Sequence, residues 1–301
     1  VKVLVTGASG FIGSAFCDAL LVRGDTVVGL TRDPQGARRT NPGVAWHAWE
    51  PTLERPPADA FDSVEGVVNL LGERIDQRWT DEAKERIMES RRKGTHNLVG
   101  AIAGLERKPR VLVNQSAIGF YGDRGEAMVD ESSDPGAGFD SEVVQEWEKA
   151  AHEAEATGVR LVVVRTGHVL DPRGGMLKQL LAPFRLGLGG PLAGGRQYVS
   201  WIHIADEVGI LLWALENEKA EGVVNATAPN PVTNRELSKA LGRALNRPAV
   251  IPVPGVTLDL MYGKEFGQVL RGGQRVMPRR AMDLGYEFRH SELDEALEDL
   301  L

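Results

Sequence analysis

Cysteine is almost missing from this chain of 301 residues: Cys17 stands alone. No internal disulfide can form, and a thiolate cluster around a metal lacks its ligands. Cys17 falls in a stretch that reads as helix, where a lone thiol behaves as a small buried hydrophobe. An excess of positive charge is missing too. Lys and Arg number 35 against 42 Asp and Glu, a net charge of −7. Nucleic acid is held by clustered cations, so we expect no nucleic-acid partner. Long apolar runs are absent: nothing approaches the roughly 18 consecutive apolar residues of a membrane span, so we expect no membrane partner. No internal repeat is evident. The first strand begins at residue 1, which leads us to expect no leader peptide and a cytoplasmic protein, or a matrix protein relieved of its leader. The length suits one large or two modest domains with a sizeable core.

Glycine, by contrast, is plentiful, and three glycines punctuate the opening stretch VKVLVTGASGFIG. A short apolar strand runs into a turn with Gly7, Gly10 and Gly13, and a helix follows over Ser14–Val22. Gly7 permits the tight turn, Gly10 removes a side chain that would block a phosphate, and Gly13 lets helix and strand pack closely. The helix N-terminus then offers unpaired N–H groups to negative charge. Ser9, Phe11 and Ile12 share this turn and join the glycines as candidate dinucleotide contacts.

The first half alternates strands and helices. Thr26–Thr31 is a second strand, Val44–Trp46 a weaker third, and Val64–Leu71 a fourth, nearly continuous in apolar residues as a buried parallel strand should be. A long helix is expected from Thr80 to Leu105, with Thr80 as N-cap and Asp81 and Glu82 in its first turn. The fifth strand opens at Val111–Val113 and reaches Ser116. Ser141–Ala156 is helical, and Val159–Val164 is the sixth strand. The alternation predicts an α/β fold, a Rossmann-type doubly wound parallel sheet with ligands at the C-terminal strand ends. After Arg165 the texture changes, and glycine and proline crowd into Pro172–Gly195 around a helical island at Met176–Phe184. Further helices are expected at Asp206–Glu216, Asn234–Leu245, Val256–Leu270 and Ser291–Leu301. A strand is expected at Val223–Ala226 and an extended connection at Pro248–Pro254. We therefore expect a dinucleotide-binding domain at residues 1–165 and a smaller C-terminal substrate lobe at residues 166–301, some of whose segments return to the main sheet.

TGASGFIG in the first turn, NLLG ending the fourth strand, SRRKGT in the long helix, SAIGFYG and WIHIADEV together resemble the extended short-chain dehydrogenase/reductase superfamily. The match is to its atypical branch of epimerase family proteins, read as nucleotide-sugar epimerases. It runs the length of the chain, through GQRVMPRRAMDLGYEFRHSELDEAL. The resemblance implies a dinucleotide cofactor and a small polar or nucleotide-linked substrate. It also implies that Leu70, Leu71 and Gly72 line the adenosine and nicotinamide-ribose side of that cofactor. Glu73 follows directly, facing either the site or solvent. Aligning on Gly94-Thr95 puts Arg91 at an asparagine of the family's long helix, where a cation can reach the cofactor. Arg92 and Lys93 read as a solvated face. Thr166, Gly167 and His168 match the segment that walls the nicotinamide, where Gly167 would let the ring approach.

The end of the second strand bears on which dinucleotide binds. An acid there accepts the ribose 2′-OH and selects NAD. This chain has Thr31-Arg32, a hydroxyl and a guanidinium suited to a 2′-phosphate, followed by Asp33. NADP(H) held through Arg32 is the expectation. The alternatives are NAD held by Asp33, and Arg32 as a solvated loop charge.

Ordinary members of the superfamily use a serine or threonine with a Tyr-x-x-x-Lys pair, in which the ammonium lowers the tyrosine pKa. Ser116 matches the serine. The pair should lie near 139–144, where the chain reads Phe139, Asp140, Ser141, Glu142, Val143, Val144: neither tyrosine nor lysine is present. Replacement acids or bases are Tyr121, Glu73, Glu131, His168 and His203, of which Tyr121 and His168 join Ser116 as catalytic candidates. For His203 and Asp206 a structural role is favoured. Two functions remain open: an NADP(H)-dependent oxidoreductase or epimerase, and a non-catalytic NADP(H)-binding redox sensor. The oligomeric state is not legible.

Overall fold

The computed structural model describes residues 1–301. Its centre is a sheet of seven parallel strands: β1 (Lys2–Thr6), β2 (Thr26–Thr31), β3 (Ala45–Ala48), β4 (Gly66–Asn69), β5 (Val111–Ala117), β6 (Arg160–Thr166) and β7 (Gly222–Ala226). Their order in space is β7-β6-β5-β4-β1-β2-β3. The chain builds outward from β1 in one direction, then from β4 in the other. A crevice opens at such a reversal, between the carboxyl ends of β1 and β4. The doubly wound reading of the alternation therefore holds.

Crossover helices cover both faces. Val3 and Val5 point to one side with Val68, Val113 and Val164, onto Phe16 and Leu20 of α1 (Phe11–Val22). The short α2 (Pro34–Thr40) follows β2. Leu4, Val67, Leu112 and Leu161 point the other way, onto Leu98, Val99 and Ile102 of α3 (Asp81–Ala103). Both faces are buried, which is why these strands read as apolar runs rather than as alternation. Thr80 caps α3 through a hydrogen bond from the Ala83 N–H at 3.2 Å. α4 (Phe139–His152) packs beside α3.

The stretch after residue 165 contributes to this same core. α5 (Gly175–Arg185) leads to α6 (Ile204–Glu216), whose Ile210, Leu211 and Ala214 join α1 against the sheet, and β7 pairs in parallel with β6. A separate apolar cluster gathers Leu177, Leu181 and Phe184 of α5, Leu237 and Leu241 of α7 (Asn234–Ala244), and the last helix. α8 (Gly255–Tyr262), α9 (Lys264–Arg271), α10 (Arg279–Asp283) and α11 (Leu293–Leu300) complete the chain. No helix is long and apolar enough to cross a membrane.

Two expectations need correcting, and one helix is added. The single helix over Val256–Leu270 is two, broken at Gly263, whose φ of +85° no helix accepts. α2 is a helix that the apolar pattern does not announce; Pro34 stands at its first position, where its missing N–H costs nothing. The Asp206–Glu216 helix begins at Ile204, capped by the His203 ring, whose Nδ1 accepts the Ala205 N–H at 3.1 Å.

Candidate functional site

The glycine turn lies on one edge of the crevice. Gly7 holds φ +61°, and a Cβ on it would meet the Leu70 carbonyl oxygen at 2.4 Å; one on Gly13 would meet the Gly7 oxygen at 2.1 Å. Gly10 stands before α1 with no side-chain cap, so the first-turn N–H groups have no partner from a capping residue. Ser9 and Gly10 are exposed, and Phe11 and Ile12 half-buried. This is a cradle for an anion. The Phe11 ring belongs to packing instead: it lies so close to Gly174 that a Cβ there would come within 2.3 Å of it.

At the end of β2 the charges divide. The Asp33 carboxylate accepts the Gly36 N–H at 2.9 Å and caps α2, while its own N–H donates to Thr31 Oγ1 at 3.2 Å. Asp33 is thus held to its helix. Arg32 beside it is exposed, with neither hydrogen bond nor ion pair.

At the end of β4 a buried polar ladder ties three strands to two helices. Thr6 Oγ1 donates to Asn69 Oδ1 at 2.5 Å, and Asn69 Nδ2 donates to Asn114 Oδ1 at 2.6 Å and Thr95 Oγ1 at 3.0 Å. The Trp147 indole also donates to Thr95, at 3.0 Å. This ladder fixes the exit to Leu70, Leu71 and Gly72. Arg91 lies against that exit: its guanidinium donates to the Glu73 carbonyl at 2.9 Å and stands 4.9 Å from the Trp147 ring centroid. The side chain keeps some accessible surface, yet surrounding protein pulls its pKa down to about 10, the signature of a recess. The Glu73 N–H donates to Ser90 Oγ at 3.0 Å.

Two catalytic candidates sit inside a sealed network. Ser116 Oγ donates to Glu148 Oε1 at 2.5 Å, and Arg165 closes on Glu148 with two hydrogen bonds of 2.8 Å. Arg165 also donates to the Tyr121 hydroxyl at 3.1 Å, and Tyr121 donates to Asn225 at 2.7 Å. The Arg165 guanidinium lies 3.3 Å over the Phe120 ring. Tyr121 has no exposed surface, and burial outweighs the nearby Arg165 to push its pKa up to about 12. It is a core residue, packed with Ile118, Val129 and Val276, not an acid facing a substrate. Glu131 is similarly held, accepting the N–H groups of Asn225 and Arg280.

β6 ends differently. Thr166 Oγ1 donates to Glu207 Oε1 at 2.8 Å; Glu207 is fully buried, its other oxygen has no partner, and desolvation pushes its pKa up to about 8. A Cβ on Gly167 would meet the Ser200 oxygen at 2.5 Å, so the chain's own packing already demands glycine there. His168 keeps exposed surface within a setting that lowers its pKa through desolvation, leaving a neutral imidazole near pH 7. His203 lies elsewhere, stacked on His290 at 3.8 Å, with Asp299 3.3 Å from its Nε2. These three make no metal centre. Because Nδ1 accepts the Ala205 N–H, a neutral His203 carries its proton on Nε2, the atom a metal would need.

A cavity of about 300 Å³ opens at the N-terminus of α4, between the segment after β5 and α9. Trp79, Phe139, Asp123, Asp140 and Glu265 line it. Trp79 and Phe139 meet edge-on at 5.0 Å. Asp140, one residue beyond Phe139, has its pKa raised by desolvation. Sequence reasoning stopped at the missing tyrosine and passed over this carboxylate. Its signal was Gly138 ahead of a helical stretch, which places Asp140 in the first turn.

Residues 3–226 match the model of the NAD dependent epimerase/dehydratase family, and residues 253–300 match a domain of unknown function. Epimerase family protein SDR39U1 of Homo sapiens is 37% identical over 306 residues, covering 100% of each chain. Epimerase family protein MT2273 of Mycobacterium tuberculosis is 38% identical over 297 residues, covering 98% of this chain and 96% of that protein. The crystal structure of human SDR39U1 with NADPH superposes with a TM-score of 0.90 at 37% identity, covering 100% of this chain and 99% of that one. UDP-glucuronic acid 4-epimerase from Bacillus cereus, in complex with UDP-glucuronic acid and NAD, superposes at 0.81 with 19% identity, covering 100% and 98%, a likeness of fold.

Proposed function

The chain belongs to the NAD dependent epimerase/dehydratase family, and from that premise we propose that it binds NADP(H) and carries out oxidoreductase or epimerase chemistry on a small polar molecule. One observation carries the cofactor choice: at the end of β2 the acid is tied up as a helix cap and the arginine is free. A free guanidinium suits a 2′-phosphate, and the sequestered Asp33 is not available to a ribose 2′-OH. The NADPH of the human relative supports the same choice.

The cofactor, when bound, supplies a hydride at the nicotinamide C4. The chain's own residues do the rest. Gly7, Ser9, Gly10 and Gly13, with the backbone of Phe11 and Ile12, hold the pyrophosphate. Thr31 and Arg32 hold the 2′-phosphate, and Leu70, Leu71, Gly72, Glu73 and Arg91 flank the ribose side. Thr166, Gly167 and His168 wall the nicotinamide. No Tyr-x-x-x-Lys pair stands at Phe139–Val144, and the Ser116 hydroxyl donates its hydrogen bond to Glu148 rather than toward the cleft. Asp140 is the ionisable group on the cavity wall with a raised pKa, and it takes the acid/base role. The sealed Ser116–Glu148–Arg165–Tyr121 network also favours a second reading, a redox sensor that binds NADP(H) without turnover.

Arg32→Ala tests the cofactor assignment. A charge-assisted hydrogen bond is worth roughly 1.5–3 kcal/mol, so fluorescence titration should show NADPH weakened about 10- to 150-fold with NADH nearly unchanged. Equal losses for both would refute it. Turnover of NADPH against a carbonyl panel separates enzyme from sensor: activity lost in Asp140→Asn, with NADPH binding intact, supports the enzyme.

A further inference from the structure

The cavity at the N-terminus of α4 has no lysine, arginine or histidine on its wall; it has three carboxylates, Asp123, Asp140 and Glu265, and the rings of Trp79 and Phe139. One cation reaches this wall and offsets a single carboxylate of the three, leaving Asp123 and Asp140; the others nearby are bound to carbonyls. Lys84 stands 5.3 Å from the Phe139 ring centroid and is paired with Glu265. Arg124 donates to the carbonyls of Tyr121 and Asp134, and Arg78 to that of Leu260. Asp123 is fixed by the N–H groups of Gly125 and Gly273, both at 3.1 Å, and no cation pairs with Asp140. A diphosphate entering here would meet like charge in a partly dehydrated space, where screening is weak. A cation would meet carboxylates and two aromatic rings, each attractive to it. The volume, about 300 Å³, is at the small end for ligand cavities.

We infer that this cavity selects a small molecule bearing an ammonium or guanidinium group and rejects diphosphate-linked sugars. The inference rests on reading the cavity as the place where substrate meets the cofactor. It sets this chain apart from the Bacillus cereus protein, whose ligand is UDP-glucuronic acid.

Calorimetric titration of the full chain, with and without saturating NADP⁺, tests it with three probes: 1,4-diaminobutane, neutral 1,4-butanediol and UDP-glucose. The diamine should bind at least about tenfold more tightly than the diol, a difference the size of one charge-assisted hydrogen bond. UDP-glucose should not bind. Asp140→Asn should remove most of the diamine preference. Glu265→Gln, which frees Lys84, should weaken the diamine and admit UDP-glucose, and it keeps the test alive if the Asp140 variant misfolds. UDP-glucose binding as tightly as the diamine overturns the inference, and so does a diamine no better than the diol. Diamine preference in a chain that binds no NADP⁺ upholds the charge selection and refutes the cofactor reading.

Discussion

Glu207 has no exposed surface, one oxygen on Thr166 and the other on nothing. A carboxylate there would leave a charged atom unsolvated, so the folded chain keeps its proton up to about pH 8, against an ordinary value of 4.5. Below the ordinary value both folded and unfolded chains are protonated, and the contribution to stability is whole. As pH rises the unfolded chain loses this proton first, and the contribution falls until it is gone above about 8. Urea unfolding at pH 5 and pH 8.5 should therefore show wild type losing more stability than Glu207→Gln. Equal losses would show that Glu207 titrates in the folded chain as it does in the unfolded one. Nothing around Glu207 in WIHIADEV announces this, because its partner Thr166 lies 41 residues earlier. Ser116 teaches the same lesson. Its place at a strand end is legible from the sequence, but Glu148, which accepts its hydrogen bond, is 32 residues away.

At the level of elements, legibility followed local chemistry. The strands declare themselves through apolar runs, and β2 spans Thr26–Thr31 just as the pattern predicts. The cap of α3 was readable because Thr80 precedes two acids. α8 and α9 were not separable by periodicity, because one glycine between two apolar stretches reads as a helix interior. Gly263 instead sits at φ +85° and ψ 159°, a region almost confined to glycine. Gly263→Ala should cost about 1–3 kcal/mol, read as a lower thermal midpoint, whereas an uninterrupted helix would gain stability from the same change. Asp33 shows why residue type alone misleads at a strand end. The acid that would have argued for NAD is recruited by the helix it precedes, and only the hydrogen bond to Gly36 reveals it.

At the level of the whole molecule, the core crosses the expected boundary at residue 165. Ile210, Leu211 and Ala214 of α6 and Val224 of β7 are fully buried against strands from the first half. A fragment of residues 1–165 would expose the part of one sheet face that α6 covers and the edge of β6. We expect it to be insoluble or to lack cooperative unfolding by circular dichroism; a soluble, cooperatively folding fragment would establish a true domain boundary there. β7 has a further consequence, one of timing. During synthesis the glycine turn emerges first and β6 is finished at Thr166, but the strand that completes the sheet ends at Ala226. At cellular elongation rates of about 5–20 residues per second, that interval is roughly 3–12 s. For those seconds the nascent chain carries an open, apolar sheet edge beside a nearly finished phosphate cradle. An unpaired edge of this kind is prone to aggregate until β7 arrives, and slow codons between these two strands would prolong the exposure.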